Sequence, residues 1–472
     1  MMIGWVLAAA VLLGSAVPGA MAATAPVMTP APIAYASVDW FKTPLRTFYA
    51  DPNGGGTGQS RSSPRALGRL LPGLKPGDRI ILLAGTYPSA KVTAHGTALR
   101  PIRIEAEHPV VAGTGHQVAT SRKAVFRNSS LQIDASSYLR ITGLSFEVDP
   151  SRGGSGITAT NSDHLAFTRN YFFQQTNYGV LLGAASGGDV SQVLLENNVF
   201  RNMIVGSEAG GVGGVRMDYG QRVHRTRTMV VRNNHFDGYF NHSVSLKEIV
   251  RDVLIERNSF RICGLVCVEG GQEPDTTHPG GSTDRKVANV VIRSNSFSGL
   301  QDGSMGVFAR NVERIFIIGN QFSGITEPLR MASNDRNSKS CERQLYLVGR
   351  KLGGCEVRSR LTQIGRKNSG VLFDGNKISG GIQFIMAGRG YPGDFLSIKN
   401  AANTSPIEIC LRPFIQNGAD FNSWTEGTPA TFAPPALYRD IPIGFSLKSG
   451  NCTGKDLTHD CEAHRSCTGI ND

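Results

Sequence analysis

The residues of this chain best suited to chemistry are a lysine, two acids and two arginines. They fall at matching places in short apolar phrases. Aligned, these phrases are Gly179-Val-Leu-Leu-Gly183, Gly214-Val-Arg-Met-Asp218, Ser243-Val-Ser-Leu-Lys247, Leu265-Val-Cys-Val-Glu269, Gly306-Val-Phe-Ala-Arg310 and Pro328-Leu-Arg-Met-Ala332. The second and fourth positions are apolar throughout. In a strand, where side chains alternate, these face inward and the third and fifth face out. The outward fifth column is then Gly183, Asp218, Lys247, Glu269, Arg310 and Ala332, and the third is Leu181, Arg216, Ser245, Cys267, Phe308 and Arg330. Parallel strands lie about 4.8 Å apart, so Asp218 and Glu269 are expected to flank Lys247, with Arg216 diagonal to it and Arg310 further along.

A stripe of this composition suits a linear polyanion, and it carries the groups that β-elimination of a uronate requires. A base removes the C5 proton, a cation neutralises the carboxylate so that the carbanion can form, and an acid or water protonates the leaving oxygen. Lysine can serve as base, and arginine or a metal ion as the neutralising cation. Arg216, His242, Ser245 and Arg330 are candidates to bind substrate. Glu269, Glu273 and Asp275 come together in a Gly- and Pro-rich stretch beside the stripe, and with Asp218 they form the candidate metal ligands. Ca²⁺ is the ion such oxygens hold.

The elements that must position these groups come from a second phrase of nine residues: an apolar run, a polar residue, then usually Asn, any residue, and Phe. It spans His164–Phe172, Gln192–Phe200, Thr228–Phe236, Asp252–Phe260, Asn289–Phe297 and Arg314–Phe322, with a weaker copy at Gly370–Ile378. The Asn falls at 170, 198, 234, 258, 295, 320 and 376; an earlier coil, Tyr138–Phe146, has Leu144 in its place. A strand-sized unit at this period is one turn of a solenoid. The Asn predicts an internal ladder and the Phe an internal stack.

The entry segment supports the same fold. Ser63 to Pro72 predicts a short amphipathic helix, with Ser63 as N-cap and Pro64 at its first position. Lys75-Pro-Gly-Asp78 is a turn, followed by the strand Arg79–Leu83 and by Gly85-Thr-Tyr87. Pro76-Gly77-Asp78, Ile80, Leu82, Gly85 and Tyr87 resemble the opening phrase of the pectate-lyase-like superfamily. That resemblance implies a right-handed parallel β-helix with an N-terminal capping helix over roughly residues 45–400. Around His242-Ser-Val-Ser-Leu-Lys247 and Val253-Leu-Ile-Glu-Arg-Asn258, the chain resembles the alginate lyase and chondroitinase-B-like polysaccharide lyases. By that resemblance Lys247 is the base, Arg310 the acid with Arg285 as substitute, and Asp218 and Glu269 ligands of Ca²⁺. The chain departs from the family pattern where His242 and Ser243 stand in place of an acidic pair.

Composition agrees with a secreted solenoid. The chain has 472 residues and 56 Gly. Residues 1–22 resemble a signal peptide ending in Ala20-Met-Ala22, residues 23–44 are expected to be a linker, and residues 401–472 a Cys-rich cap. The eight cysteines, at 263, 267, 341, 355, 410, 452, 461 and 467, point to disulfides in an oxidising compartment. With 49 basic and 37 acidic residues the net charge is +12, which attracts polyanions. Secretion favours an acidic polysaccharide over nucleic acid. The expectation is a secreted or periplasmic monomer that cleaves an acidic glycan by β-elimination, without a membrane span after signal cleavage. The alternatives are a non-catalytic glycan-binding β-helix, and a hydrolase or epimerase on the same fold.

Overall fold

The Asn of the nine-residue phrase does what its spacing predicts. In the computed structural model, each carboxamide oxygen accepts both the backbone N–H and the side-chain N–H of the preceding ladder Asn; Asn234 Oδ1, for example, takes both from Asn198 at 2.9 Å. Each carboxamide N–H also donates to a carbonyl of the previous coil: Asn170 to Ile141, Asn198 to Phe167, Asn234 to Leu195, Asn258 to Val231. Every ladder Asn from 170 to 376 is buried. The residue before each one turns the chain through a left-handed conformation, from Arg169 (φ 55°) to Ser294 (φ 53°), and Gly319 and Gly375 take that place in the last two. In the coil with Leu144, the backbone N–H of Leu144 still donates to Asn170 Oδ1.

Two residues on, the aromatic rings stack. Phe126, Phe146, Phe172, Phe200, Phe236, Phe260, Phe297 and Phe322 form one column with centroids 4.6 to 5.2 Å apart. Tyr87 begins the column, and its hydroxyl donates to the carbonyls of Ala50 and Leu83.

These columns run along two parallel sheets. One has 14 strands, from Gly55–Ser60 at one edge to Leu396–Lys399 at the other. The other has 21 strands in two files. The files merge where His235–Leu246 and Ser259–Gly270 run unbroken through the corner between them. Among the described residues the strands pair in parallel except Gly55–Ser60 with Ser63–Arg65, and one isolated antiparallel bridge joins Thr97 to Arg100. The architecture is therefore an all-β parallel β-helix with its core between the sheets. The structure describes residues 29–111, 122–149, 154–183, 188–202, 213–217, 225–247, 249–271, 287–299, 305–310, 312–325, 327–332, 369–379, 383–387, 396–399, 402–403, 407–412 and 445–449.

The entry helix is shorter than its sequence predicts. Ser63–Arg65 is a strand, and the helix covers Leu67–Leu70, with a 3₁₀ turn over Leu71–Gly73. Its N-cap is Ala66, without a side-chain cap, rather than Ser63. Strand pairing with Gly55–Ser60 takes Pro64 out of the helix. Leu67, Leu70 and Leu71 join the core.

The 14-stranded sheet carries a feature the sequence did not announce. Its outward register Ala166–Leu194–Val230–Leu254–Val291–Phe316–Leu372 is apolar. Residues 29–41 lie along it. Val38 and Trp40 pack on Ala166, Leu194 and Val230, and Ile33 packs beside Val291, Phe316 and Leu372. Side chains of the sheet hold the backbone of this segment: Asn289 accepts from Ala31 N–H, Gln192 from Ala36 N–H, and Arg314 donates to the Thr29 carbonyl.

The ladder sets a stability prediction. Asn258→Ala removes the acceptor of the buried Asn234 N–H and the donor to the Val231 carbonyl. At about 1–3 kcal/mol per orphaned group, the loss is roughly 3–6 kcal/mol. The exposed Arg227→Ala on a neighbouring coil is expected to stay within about 0.5 kcal/mol. Urea unfolding midpoints of the two variants check this.

Candidate functional site

The stripe is built by five stacked strands: Gly213–Met217, His235–Leu246, Ser259–Gly270, Met305–Arg310 and Glu327–Ala332. Their register differs from the sequence alignment in one coil. Val244 pairs with Val268 and Ser245 with Glu269, so the third column in register is Arg216, Ser245, Glu269, Phe308, Arg330. Glu269 was expected in the fifth column and Cys267 in the third. Both sit two residues away from those places, and Cys267 is buried in the core.

The Phe stack gives the physical reason. Where the chain turns into this file, the first position of the phrase lies against the rings. A Cβ added to Gly214 would come 2.7 Å from the Phe236 ring, and one added to Gly306 would come 2.7 Å from the Phe322 ring. Only a small residue fits there. The coil of Glu269 puts Cys267 in that place, level with Ser243 and Gly306, where the sequence alignment had put Leu265. A small residue directly before Val is thus the better register mark, and Cys267-Val268 carries it.

The shift brings three side chains onto one carboxylate oxygen. Glu269 Oε2 lies 3.0 Å from Lys247 Nζ, 3.1 Å from His242 Nε2 and 3.2 Å from Ser245 Oγ. The Glu269 side chain is 5% exposed, while those of Lys247 and His242 are 16% and 17% exposed. Register irregularities on either side of Phe240 let His242 share a face with Ser245 although two residues that both face the core, Phe240 and Val244, flank it. In this low-polarity wall each charge interacts more strongly than in water. Glu269 orients an imidazole and an ammonium side by side, next to a hydroxyl. Such a group can move a proton and hold an anion.

The remaining expected residues fare differently. Arg330 was expected to grip substrate, but its side chain is wholly buried. It ion-pairs with Glu327 at 3.5 Å and lies 5.8 Å over the Phe308 ring. Phe308 packs with Val266 and Met305. This end of the wall is a packed layer, which the alternation rule could not anticipate. Arg216 keeps its expected place opposite Ser245, and Arg310 pairs with Ala332 as expected. Gly270 pairs with both Leu246 and Ala309, so the rung between Lys247 and Arg310 is occupied by Gly271 instead of Glu269. Asp218, Glu273, Asp275 and Arg285 lie outside the described residues. Among the described residues no group of three or more His, Cys, Asp or Glu is placed to hold a metal. Glu269, expected as a metal ligand, has an ammonium 3.0 Å from its oxygen, a poor neighbour for a divalent cation.

No protein-family model matches the chain, and no curated protein matches it significantly. Solved structures do. An alginate lyase from Paenibacillus sp. str. FPU-7 is 16% identical, with a TM-score of 0.42 over 76% of this chain and 99% of its own. A mannuronic acid specific polysaccharide family 6 lyase from human gut microbiota is 14% identical, with a TM-score of 0.41 over 89% of this chain and 95% of its own. An endo-xylogalacturonan hydrolase from Aspergillus tubingensis is 10% identical, with a TM-score of 0.43 over 78% of this chain and 97% of its own. These are likenesses of fold.

Removing the shared carboxylate isolates its role. Glu269→Ala removes the buried carboxylate that Lys247 and His242 share. Discounted for their partial exposure, this costs about 2–4 kcal/mol. Glu269→Gln, which keeps an acceptor for Lys247 and Ser245, is expected to cost about half as much. Thermal unfolding of both variants at one pH measures the difference, and a Glu269→Ala protein as stable as the parent would show that the cluster does not anchor this wall.

Proposed function

We propose that this protein is a polysaccharide lyase that cleaves an acidic, uronate-containing glycan by β-elimination, in a secreted or periplasmic setting. The observation that carries the proposal is the convergence of His242, Ser245 and Lys247 on Glu269. Arg310 lies beyond Lys247 in the same register, with a glycine on the rung between them. In the reaction the C5–H bond breaks and its electron pair forms the C4–C5 double bond. The C4–O bond breaks with its pair on the glycosidic oxygen, which takes up a proton.

In this proposal the two nitrogen groups take different tasks from those the family resemblance implies. An imidazole gives up its proton about four pH units below an alkylammonium, a difference of about 5 kcal/mol. Of two groups sharing one carboxylate, the imidazole is therefore the cheaper base. On this reading His242 takes the C5 proton on Nε2, exchanging its contact with Glu269 for the substrate because Nδ1 is buried, and Lys247 neutralises the substrate carboxylate together with Arg310 and Arg216. The competing assignment keeps Lys247 as base. Ca²⁺ held by the acids at 218, 273 and 275 is a second source of positive charge for the substrate carboxylate. A hydrolase would need two close carboxylates, and among the described residues this cluster contains Glu269 alone.

Incubating the protein with alginate, pectate and glycosaminoglycans, with and without chelator, and following ultraviolet absorbance of unsaturated products tests the reaction class. Reducing ends without that absorbance mean a hydrolase, and binding without either product means a glycan-binding module. His242→Gln is expected to lower kcat at least a hundredfold, whereas Lys247→Arg keeps the rate within about tenfold because the cation is retained. The reverse pattern makes Lys247 the base. A rate lost on chelation places metal in the site.

A further inference from the structure

The described surface exposes three large apolar side chains, Phe41 (70% exposed), Leu45 (59%) and Leu99 (70%). Two of them meet at one place, away from the Glu269 cluster. Leu45 and Leu99 line a single pocket of about 310 Å³ together with Lys42, Gly77 and Arg100. Phe41 directly precedes Lys42. Leu99 sits at the tip of a tight turn closed by hydrogen bonds in both directions between Thr97 and Arg100. The pocket lining contains no acid. Among the described residues Lys42 and Arg100 form no ion pair, while the nearby Arg46 is committed to Asp78.

We propose that this patch docks the protein on an anionic lipid surface. Single exposed apolar residues are ordinary, but two of the three large ones lining one concavity, with the third next to its Lys42 in the chain, mark a contact site. Its chemistry is amphipathic. Aliphatic and aromatic side chains at a loop tip enter the headgroup boundary, and flanking cations pair with lipid phosphates. The net charge of +12 adds long-range attraction of the same sign. An acidic polysaccharide fits the patch less well. Two of its three apolar groups are leucines, and the ring of Phe41, the group able to stack on a sugar, is covered on one face by the Arg140 guanidinium at 4.3 Å. Docking here does not use the Glu269 cluster and is independent of its chemistry.

Co-sedimentation with vesicles tests the proposal. The full chain is mixed with vesicles of phosphatidylglycerol and phosphatidylcholine in equal parts, or of phosphatidylcholine alone. The parent is expected to pellet with the anionic vesicles and at least tenfold less with the neutral ones. Phe41→Ser/Leu99→Ser and Lys42→Glu/Arg100→Glu are each expected to lower anionic binding at least tenfold with an unchanged circular dichroism spectrum, since all four positions are exposed. Any contribution from the apolar residues 1–22 is common to every variant. Binding that survives both substitutions overturns the proposal, as does a parent that ignores anionic vesicles. Retention on an immobilised acidic glycan that these substitutions abolish, with no vesicle binding, also overturns it in favour of a glycan subsite.

Discussion

The fold depends on satisfying backbone groups at a buried corner. Each coil of a β-helix must turn between sheets without leaving N–H and C=O groups unpaired in the core. Here the turn uses one left-handed residue and one Asn. The carboxamide replaces the strand-to-strand pairing that the turn interrupts, accepting from one coil and donating to its carbonyl. Because every Asn is both donor and acceptor to its neighbours, the ladder is cooperative along the axis. One missing member is tolerated where Leu144 still donates its own N–H to Asn170. A gap in mid-ladder orphans groups on both sides.

The aromatic stack beside the ladder does more than fill volume. Rings spaced at nearly the strand repeat fix the height of each coil and demand a small residue opposite them where the next strand begins. Gly179, Gly214, Ser243, Cys267 and Gly306 meet that demand. Since side chains alternate, the position of the small residue decides which residues of each strand face outward. The identity of the outer wall, including the carboxylate at its centre, thus follows from a packing constraint inside the core.

This explains what was legible in the sequence and what was not. The Asn and Phe columns were readable because each is a single residue type at a fixed interval, and the third column of five coils was readable from apolar alternation. Glu269 was misplaced by two residues because Leu265-Val-Cys-Val fits alternation in either register; the fit against a ring, not hydropathy, separates the two. The burial of Arg330 was hidden because its partners, Glu327 and Phe308, come from its own strand and the preceding coil and look like solvated positions in isolation. The packed segment 29–41 was hidden for a similar reason. An Ala- and Pro-rich stretch has the composition of a linker, and only the outward apolar column of the sheet, visible once seven coils are in register, shows what it covers.

The corrected register also changes the electrostatics of the candidate site. Two acids flanking a lysine would make a chain of alternating charges along the wall, each partner shared with solvent. One acid holding a lysine, a histidine and a serine makes a closed group whose charges are mutually satisfied at 3.0 to 3.2 Å. A closed group keeps its shape without ligand. On the proposed reading, the ammonium and hydroxyl lose little further entropy when a glycan binds, so more of the contact energy is available to stabilise charge developing at a substrate carboxylate. The same closure places the imidazole and the ammonium within reach of one oxygen. On the proposed reading, the group that takes a proton and the group that holds the substrate anion thus stand side by side on one carboxylate.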